Sequence, residues 1–170
     1  MTGNAPNQRP VFSLGRSPAL VAVDLAGAIA ILLAVLLIVQ FWAVLPDRIP
    51  THFGFSGQPD AWGDKVTIWI LPAVAAIMFV VLTAVSRYPH TFNYPVRITE
   101  ENAPQQYLLA RSLLVWLKAE VCWLFAFLVR QQIIVALGNA EMLRMEFVLG
   151  MIVLSFGTIG LYLRRAYLAR

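Results

Sequence analysis

The chain has 170 residues, enough for one domain, and 59% of them are hydrophobic while only 13% are charged. Soluble domains average about 45–50% apolar and about 25% charged, so this composition excludes an ordinary soluble globule and reads as an integral membrane protein. The formal net charge of +4 is spread as single basic residues at the ends of apolar runs. It forms no patch of the kind that tracks phosphates, so nucleic acid is not an expected partner.

Residues 1–19 carry prolines, glycines and arginines without helical period and read as a flexible cytoplasmic tail. Residues 25–45, LAGAIAILLAVLLIVQFWAVL, contain no charge. At ~1.5 Å per residue they reach about 31 Å, sufficient to cross a hydrocarbon core. The run is longer than a signal-peptide core and lacks a small-residue cleavage site, so it is expected to remain as an anchor.

Residues 46–65 form a polar island holding His52, with prolines at 46, 50 and 59 and glycines at 54, 57 and 63. These forbid a helix and mark turns at LPDR, SGQP and WGDK, giving a short irregular outer loop. Ile49, Phe53, Phe55 and Trp62 are too apolar for free water and are expected against the helix ends or the membrane interface.

Three roles for His52 stand open: a metal ligand with Asp47, Asp60 and Asp64, a general base beside Thr51 or Ser56, or a structural residue bonded to a turn carbonyl or a carboxylate. The spacing matches no metal motif, no catalytic constellation is visible, and no cofactor or metal is expected. The candidate binding residues of the loop are His52, Phe53, Asp60, Trp62 and Lys65.

The second run, residues 66–86, contains Pro72, expected to bend the helix without ending it. The connection over residues 87–106 holds His90 and a TEEN segment at 99–102 that resembles a helix start, with Glu100 and Glu101 complementing the helix N-terminus. From Gln105 to Leu137 there is neither proline nor glycine, which predicts one helix of about 50 Å, longer than a bilayer core. If residues 108–129 span, Lys118 and Glu120 lie near mid-depth. If residues 119–137 span, Arg130, Gln131 and Gln132 go deeper instead.

Lys118 and Glu120 stand about 200° apart on a helix, so each needs a partner elsewhere. With Arg130 they form the intramembrane polar set, and such residues point to ion or proton movement. Trp116, Glu120, Trp123 and Phe127 share one face, read as an aromatic packing stripe. Cys122, the lone cysteine, excludes an internal disulfide.

The fourth run, residues 147–163, is short unless Met142–Glu146 joins it or Arg164 snorkels. Gly150, Gly157 and Gly160 fall on one side, predicting close packing within the bundle or against another subunit, a homo-oligomer included. Eight Lys and Arg residues lie in the tail, the 87–111 region and the basic C-terminus 164–170, against four in the other two loops. This bias places both termini in the cytoplasm and the island outside. The fold expected is therefore an all-α integral membrane protein, a four-helix transmembrane bundle over residues 20–163 with a short irregular outer loop.

LPDRIPTHFGFSGQPDAWGDK and FNYPVRITEENAPQQY resemble the bacterial domain of unknown function 1648, over roughly residues 20–137. The family's usual Asn after the HF pair is Gly54 here, and its frequent Glu after SG is Gln58. The resemblance implies a multi-span protein of the cytoplasmic membrane. That domain also forms the N-terminal half of the immunity protein against the sporulation-delay toxin, which has further C-terminal helices. An immunity-like, sensory or accessory protein binding a peptide, lipid or partner subunit through its outer loop is the function expected. Alternatives are a small transporter using Lys118, Glu120 or Arg130, and a membrane enzyme or metal site at His52.

Overall fold

The structure is a computed structural model and describes residues 9–12, 14–15 and 17–170; the rest of the tail expected at 1–19, Arg16 included, lies outside the described residues. Four helices are long and apolar enough to cross a membrane. Helix α1 is Pro18–Phe41, α2 is Ile70–Val85, α3 is Ala103–Ala136 and α4 is Met145–Leu168. Leu32, Leu36, Val39, Val80, Val153 and Phe156 face outward, a surface suited to hydrocarbon and not to water.

The helices alternate in direction, so Pro10 ahead of α1 and Ala166 near the end of α4 both meet the start of α3 at one end of the bundle. α3 is the central element and α1, α2 and α4 all pack on it. Facing protein on several sides, it can carry buried polar residues that meet partners there, Gln106, Lys118, Glu120, Gln131 and Gln132 among them. Gly27 in α1 makes one close approach possible, since a Cβ there would lie 3.3 Å from Ala119 Cα. The α4 glycines at 150, 157 and 160 meet nothing within 4 Å, so the close packing expected of them is not made inside the bundle.

The expected irregular loop is a two-stranded antiparallel hairpin, β1 Arg48–Phe53 and β2 Pro59–Asp64. Pro50 and Pro59, taken in the sequence to forbid a helix, sit within the strands, because a lone hairpin has only edge strands and an edge tolerates a missing N–H. The ladder is irregular on either side of His52, which pairs with Ala61. At the expected SGQP turn, Gly57 takes φ +81°, and its N–H donates to Gly54 O at 2.8 Å. The expected WGDK turn is instead the end of β2, where Asp64 accepts from Val66 N–H and caps the 3-10 segment Lys65–Trp69. That segment leads into α2 and leaves Pro72 in the first α-turn, where its missing N–H costs nothing; it therefore sits where the helix type changes.

The hairpin is braced on the bundle. Ile49 is fully buried, Gln132 Nε2 donates to Pro50 O at 3.0 Å, and Leu143 N–H from the α3–α4 connection donates to Gly57 O at 2.7 Å. At the opposite end Thr99 and Asn102 cap α3 reciprocally, Thr99 N–H to Asn102 Oδ1 at 2.9 Å and Asn102 N–H to Thr99 Oγ1 at 3.2 Å. Asn thus fills the place of the Glu or Gln in a capping box. Gln106 Nε2 donates to Ala166 O at 2.8 Å, tying the end of α4 to the start of α3. Tyr107 Oη donates to Pro10 O at 3.0 Å, so this part of the tail has a tertiary partner.

A Cβ at Gly57 would meet Leu143 O at 2.5 Å in a left-handed backbone, whereas Gly138, φ +72°, has nothing nearby. Gly138→Ala should cost only the left-handed penalty of about 1–2 kcal/mol. Gly57→Ala should cost clearly more and release the α3–α4 connection from the hairpin; thermal unfolding of the two purified variants checks the order.

Candidate functional site

Polar residues gather at three levels. On the hairpin, His52 Nδ1 lies 2.5 Å from Asp60 Oδ1, with the two side chains 69% and 52% exposed. An exposed pair of this kind contributes little to stability but fixes the ring against β2. Asp47 turns to Lys65, Oδ1 to Nζ 3.3 Å, and Lys65 also lies over the Trp42 ring at 5.4 Å. Asp64 is committed to its helix cap. The three aspartates therefore go to three separate partners and do not converge on His52, and no group of three metal-ligating side chains forms among the described residues. Ser56 Oγ accepts from Gln58 N–H at 3.4 Å.

The apolar residues of the hairpin divide. Ile49 is inside, Phe53 is partly covered, Trp62 is 46% exposed and Phe55 is fully exposed. Phe55 thus departs from the expected place against the helix ends: it stands at the tip, beyond reach of the bundle. Trp42 and Trp69 pack together with ring centroids 6.1 Å apart where α1 ends and α2 begins.

In the bundle, Lys118 is 1% exposed. Its Nζ lies 2.7 Å from Asp24 Oδ1 on α1, donates to Thr83 Oγ1 on α2 at 2.7 Å and sits 4.2 Å from the centre of the Phe79 ring. Asp24 Oδ1 accepts no well-aligned hydrogen bond, so its attraction to Nζ is chiefly coulombic. Asp24 lies near the start of α1 and Thr83 near the end of α2, which sets Lys118 toward the terminal end. Gln132, about 21 Å further along α3, lies under the hairpin. At that end Arg130 is exposed, while Gln131 and Gln132 are buried.

Glu120 faces the other way. Its Oε2 accepts from Ser155 Oγ at 2.7 Å and its Oε1 from Thr158 Oγ1 at 2.6 Å, both on α4. Trp116, Glu120 and Trp123 line an apolar slot of about 470 Å³ that α1 and α4 also border. Phe127 stacks on Phe147 of α4 at 4.0 Å, so the aromatic face packs at one end and stays half open at the other. Cys122 is buried and free.

Asp24 was not identified from the sequence as the partner of Lys118. The one signal was a lone carboxylate heading an apolar run. Ser155 and Thr158, three apart on α4, read only as small residues. At the terminal end, burial holds the Tyr94 phenol well above its ordinary pKa, with smaller contributions from Tyr162 and Tyr107. It remains a neutral donor to Pro89 O, 2.8 Å away.

Lys118 is buried while Asp24 is 35% exposed, so the two halves of the pair are unequal. Asp24→Asn strands a buried cation and should cost on the order of 3 kcal/mol. Lys118→Met leaves a carboxylate that still reaches water and should cost about 1 kcal/mol. The double variant should recover most of the larger loss, and a thermal double-mutant cycle in detergent measures the coupling.

The family model described as Domain of unknown function (DUF1648) matches residues 28–76, a narrower stretch than the two motifs suggested. An uncharacterized protein of the archaeon Archaeoglobus fulgidus is 37% identical over 62 residues, 32% of this chain and 34% of that protein. The matched part thus spans about a third of that relative's length. No solved structure matches the chain. These likenesses do not reach the toxin-immunity protein. The matched residues run from the middle of α1 through the whole hairpin into α2, and over that stretch the chain is similar to the DUF1648 family.

Proposed function

We propose that the chain is a four-span protein of the cytoplasmic membrane, both termini inside, which binds a membrane protein partner or peptide through its outer hairpin in an accessory, sensory or immunity-like role and without catalysis. The observation that carries this reading is Phe55, fully exposed at the tip of a hairpin anchored by Ile49, Gln132 and Leu143. A braced strand pair loses little freedom on association, so an aromatic displayed on it can contribute most of its buried area to affinity. Trp62, half exposed on β2, extends the same surface, and the His52–Asp60 pair gives it a polar edge. The sidedness rests on the basic residues, eight at the terminal end against four at the other.

The transport reading has one observation in its favour. Glu120 is 5% exposed and, among the described residues, meets two hydroxyls and no cation, so a buried carboxylate lacks a countercharge. Proton flux in liposomes that disappears in Glu120→Gln would favour that reading; flux that survives argues against Glu120 as its carrier.

Cys122 is buried, so Phe55→Cys introduces a single reactive thiol. Membrane-impermeant maleimide should label Phe55→Cys on intact cells and leave the parent chain unlabelled; labelling only after lysis overturns the orientation. A photo-crosslinker at position 55 should join one defined partner in the native membrane. Phe55→Ala with Trp62→Ala should lower retention of that partner at least tenfold without changing helix content, and unchanged retention overturns the hairpin as the binding surface.

A further inference from the structure

Glu120 stands at the middle of α3 (Ala103–Ala136), 5% exposed, with Ser155 and Thr158 of α4 each donating to one of its oxygens. Two hydroxyls orient a carboxylate and use about half of its lone-pair positions, but they do not neutralise its charge. Among the described residues no cationic side chain pairs with it, and Lys118 is committed to Asp24 on the other side of α3. A buried charge without a countercharge is costly, and an ionisable group kept within a spanning segment marks a site of use.

The space around that carboxylate is the second observation. Glu120 borders the slot of about 470 Å³ against α1 and also a smaller one of about 200 Å³ between α3 and α4. The larger lies within the range of small-molecule sites, roughly 300–1,000 Å³. Val23 and Ala26 of α1 and Met151 and Leu154 of α4 give it apolar walls. Trp116 and Trp123 line it about one turn before and after Glu120, 49% and 40% exposed. Neither indole packs on another ring or carries a cation among the described residues, so both are available to something that enters.

We infer that this slot binds a lipophilic organic cation, an ammonium or phosphonium whose charge is wrapped in aromatic or alkyl groups. Glu120 supplies the countercharge, the two indoles attract the cation through their ring faces, and the aliphatic walls take its apolar body. An acyl chain or a neighbouring helix would fill the volume and leave Glu120 without a countercharge. A hydrated inorganic cation would balance the charge and leave the slot unfilled. A ligand that combines the two properties uses the whole site, and that combination sets its specificity. Its route of entry, sideways through hydrocarbon to the middle of the bundle, rests on the membrane placement proposed above; the binding chemistry does not.

The test uses the full chain in a non-ionic detergent. Tetraphenylphosphonium is titrated calorimetrically against a micelle blank, beside tetraphenylborate, which has nearly the same shape and the opposite charge. Saturable binding of the phosphonium, with the borate at least roughly tenfold weaker, is expected from the carboxylate. Glu120→Gln keeps the volume and one oxygen for the α4 hydroxyls, and should weaken the phosphonium by roughly tenfold or more. Trp116→Leu with Trp123→Leu changes two partly exposed side chains, should weaken it by roughly fivefold or more, and carries the test if Glu120→Gln fails to fold. No saturable phosphonium binding, equal binding of the two ions, or wild-type affinity in either folded variant overturns the proposal; equal binding of the ions marks a slot for an acyl chain or a helix. Phe55→Ala with Trp62→Ala should leave the phosphonium affinity unchanged, so this result and the crosslinking at position 55 stand without each other.

Discussion

Two ionisable residues two positions apart on one helix, in surroundings with little else that is polar, constrain the whole bundle. Lys118 and Glu120 point to nearly opposite sides of α3, and a charge in an apolar interior needs an opposite charge or aligned hydrogen-bonding groups close by. Lys118 finds Asp24 on α1 and Thr83 on α2. Glu120 finds Ser155 and Thr158 on α4. One short stretch of α3 therefore fixes the angular positions of the other three helices around it, which non-directional packing of Leu, Val and Ala side chains would specify weakly. In a bilayer, where apolar contact between helices carries little driving force of its own, directed contacts of this kind do more to define an arrangement than they do in a water-soluble core.

The far end of α3 repeats the logic with amides in place of charges. Gln132 reaches the Pro50 carbonyl, which the proline leaves beside a missing N–H, and so a residue that weakens the ladder becomes the point where the ladder meets the bundle. Ile49, buried on the same strand, adds apolar area to that contact. The hairpin is therefore not a free loop over a membrane surface. Its base shares the hydrophobic cluster of Ile38, Leu45, Ile68, Val129 and Ile133, and only its tip and outer edge are left to solvent. A domain whose family match runs from the middle of α1 to the start of α2 contains this whole device apart from its anchor on α3.

Most of the helical frame was legible because its signal is summed over many residues. A run such as 25–45 needs no single residue to be read correctly, and the proline- and glycine-free stretch after Gln105 declared one long helix. The hairpin was not legible because its strands are six residues each, hold Pro50 and Pro59, and alternate only partly. Their pairing is stabilised by burial of Ile49 and by an α3 glutamine some eighty positions away, neither visible locally. The polar residues of α3 were identifiable as needing partners, yet the partners were not. Asp24, Ser155 and Thr158 are common residue types at unremarkable spacing, and only the turn of α3 by about 200° between residues 118 and 120 brings them together. His52 was open among three roles, and its carboxylate partner, Asp60 across the ladder, was one of three nearby aspartates that the sequence alone left equivalent.

The four helices are not held equally, and this bears on where the molecule can respond to something bound. α1 and α2 are joined to α3 by an ion pair, by the small approach at Gly27 and by the hydrophobic cluster. Ala166 is the one fully buried residue of α4, and the rest of the helix is partly covered or exposed. Its contacts are the two hydroxyls on Glu120, the Phe127–Phe147 stack and the Gln106 bonds near its C-terminal end. Stability in a folded chain is lowest where buried apolar contacts are fewest, so α4 is the element that moves or detaches at least cost. Its first turn, through Met145 and Glu146, also borders a charged cleft beside the hairpin. Leu143, just before that turn, is bonded to Gly57 of the hairpin, so the hairpin end of the molecule is joined directly to the least secured helix.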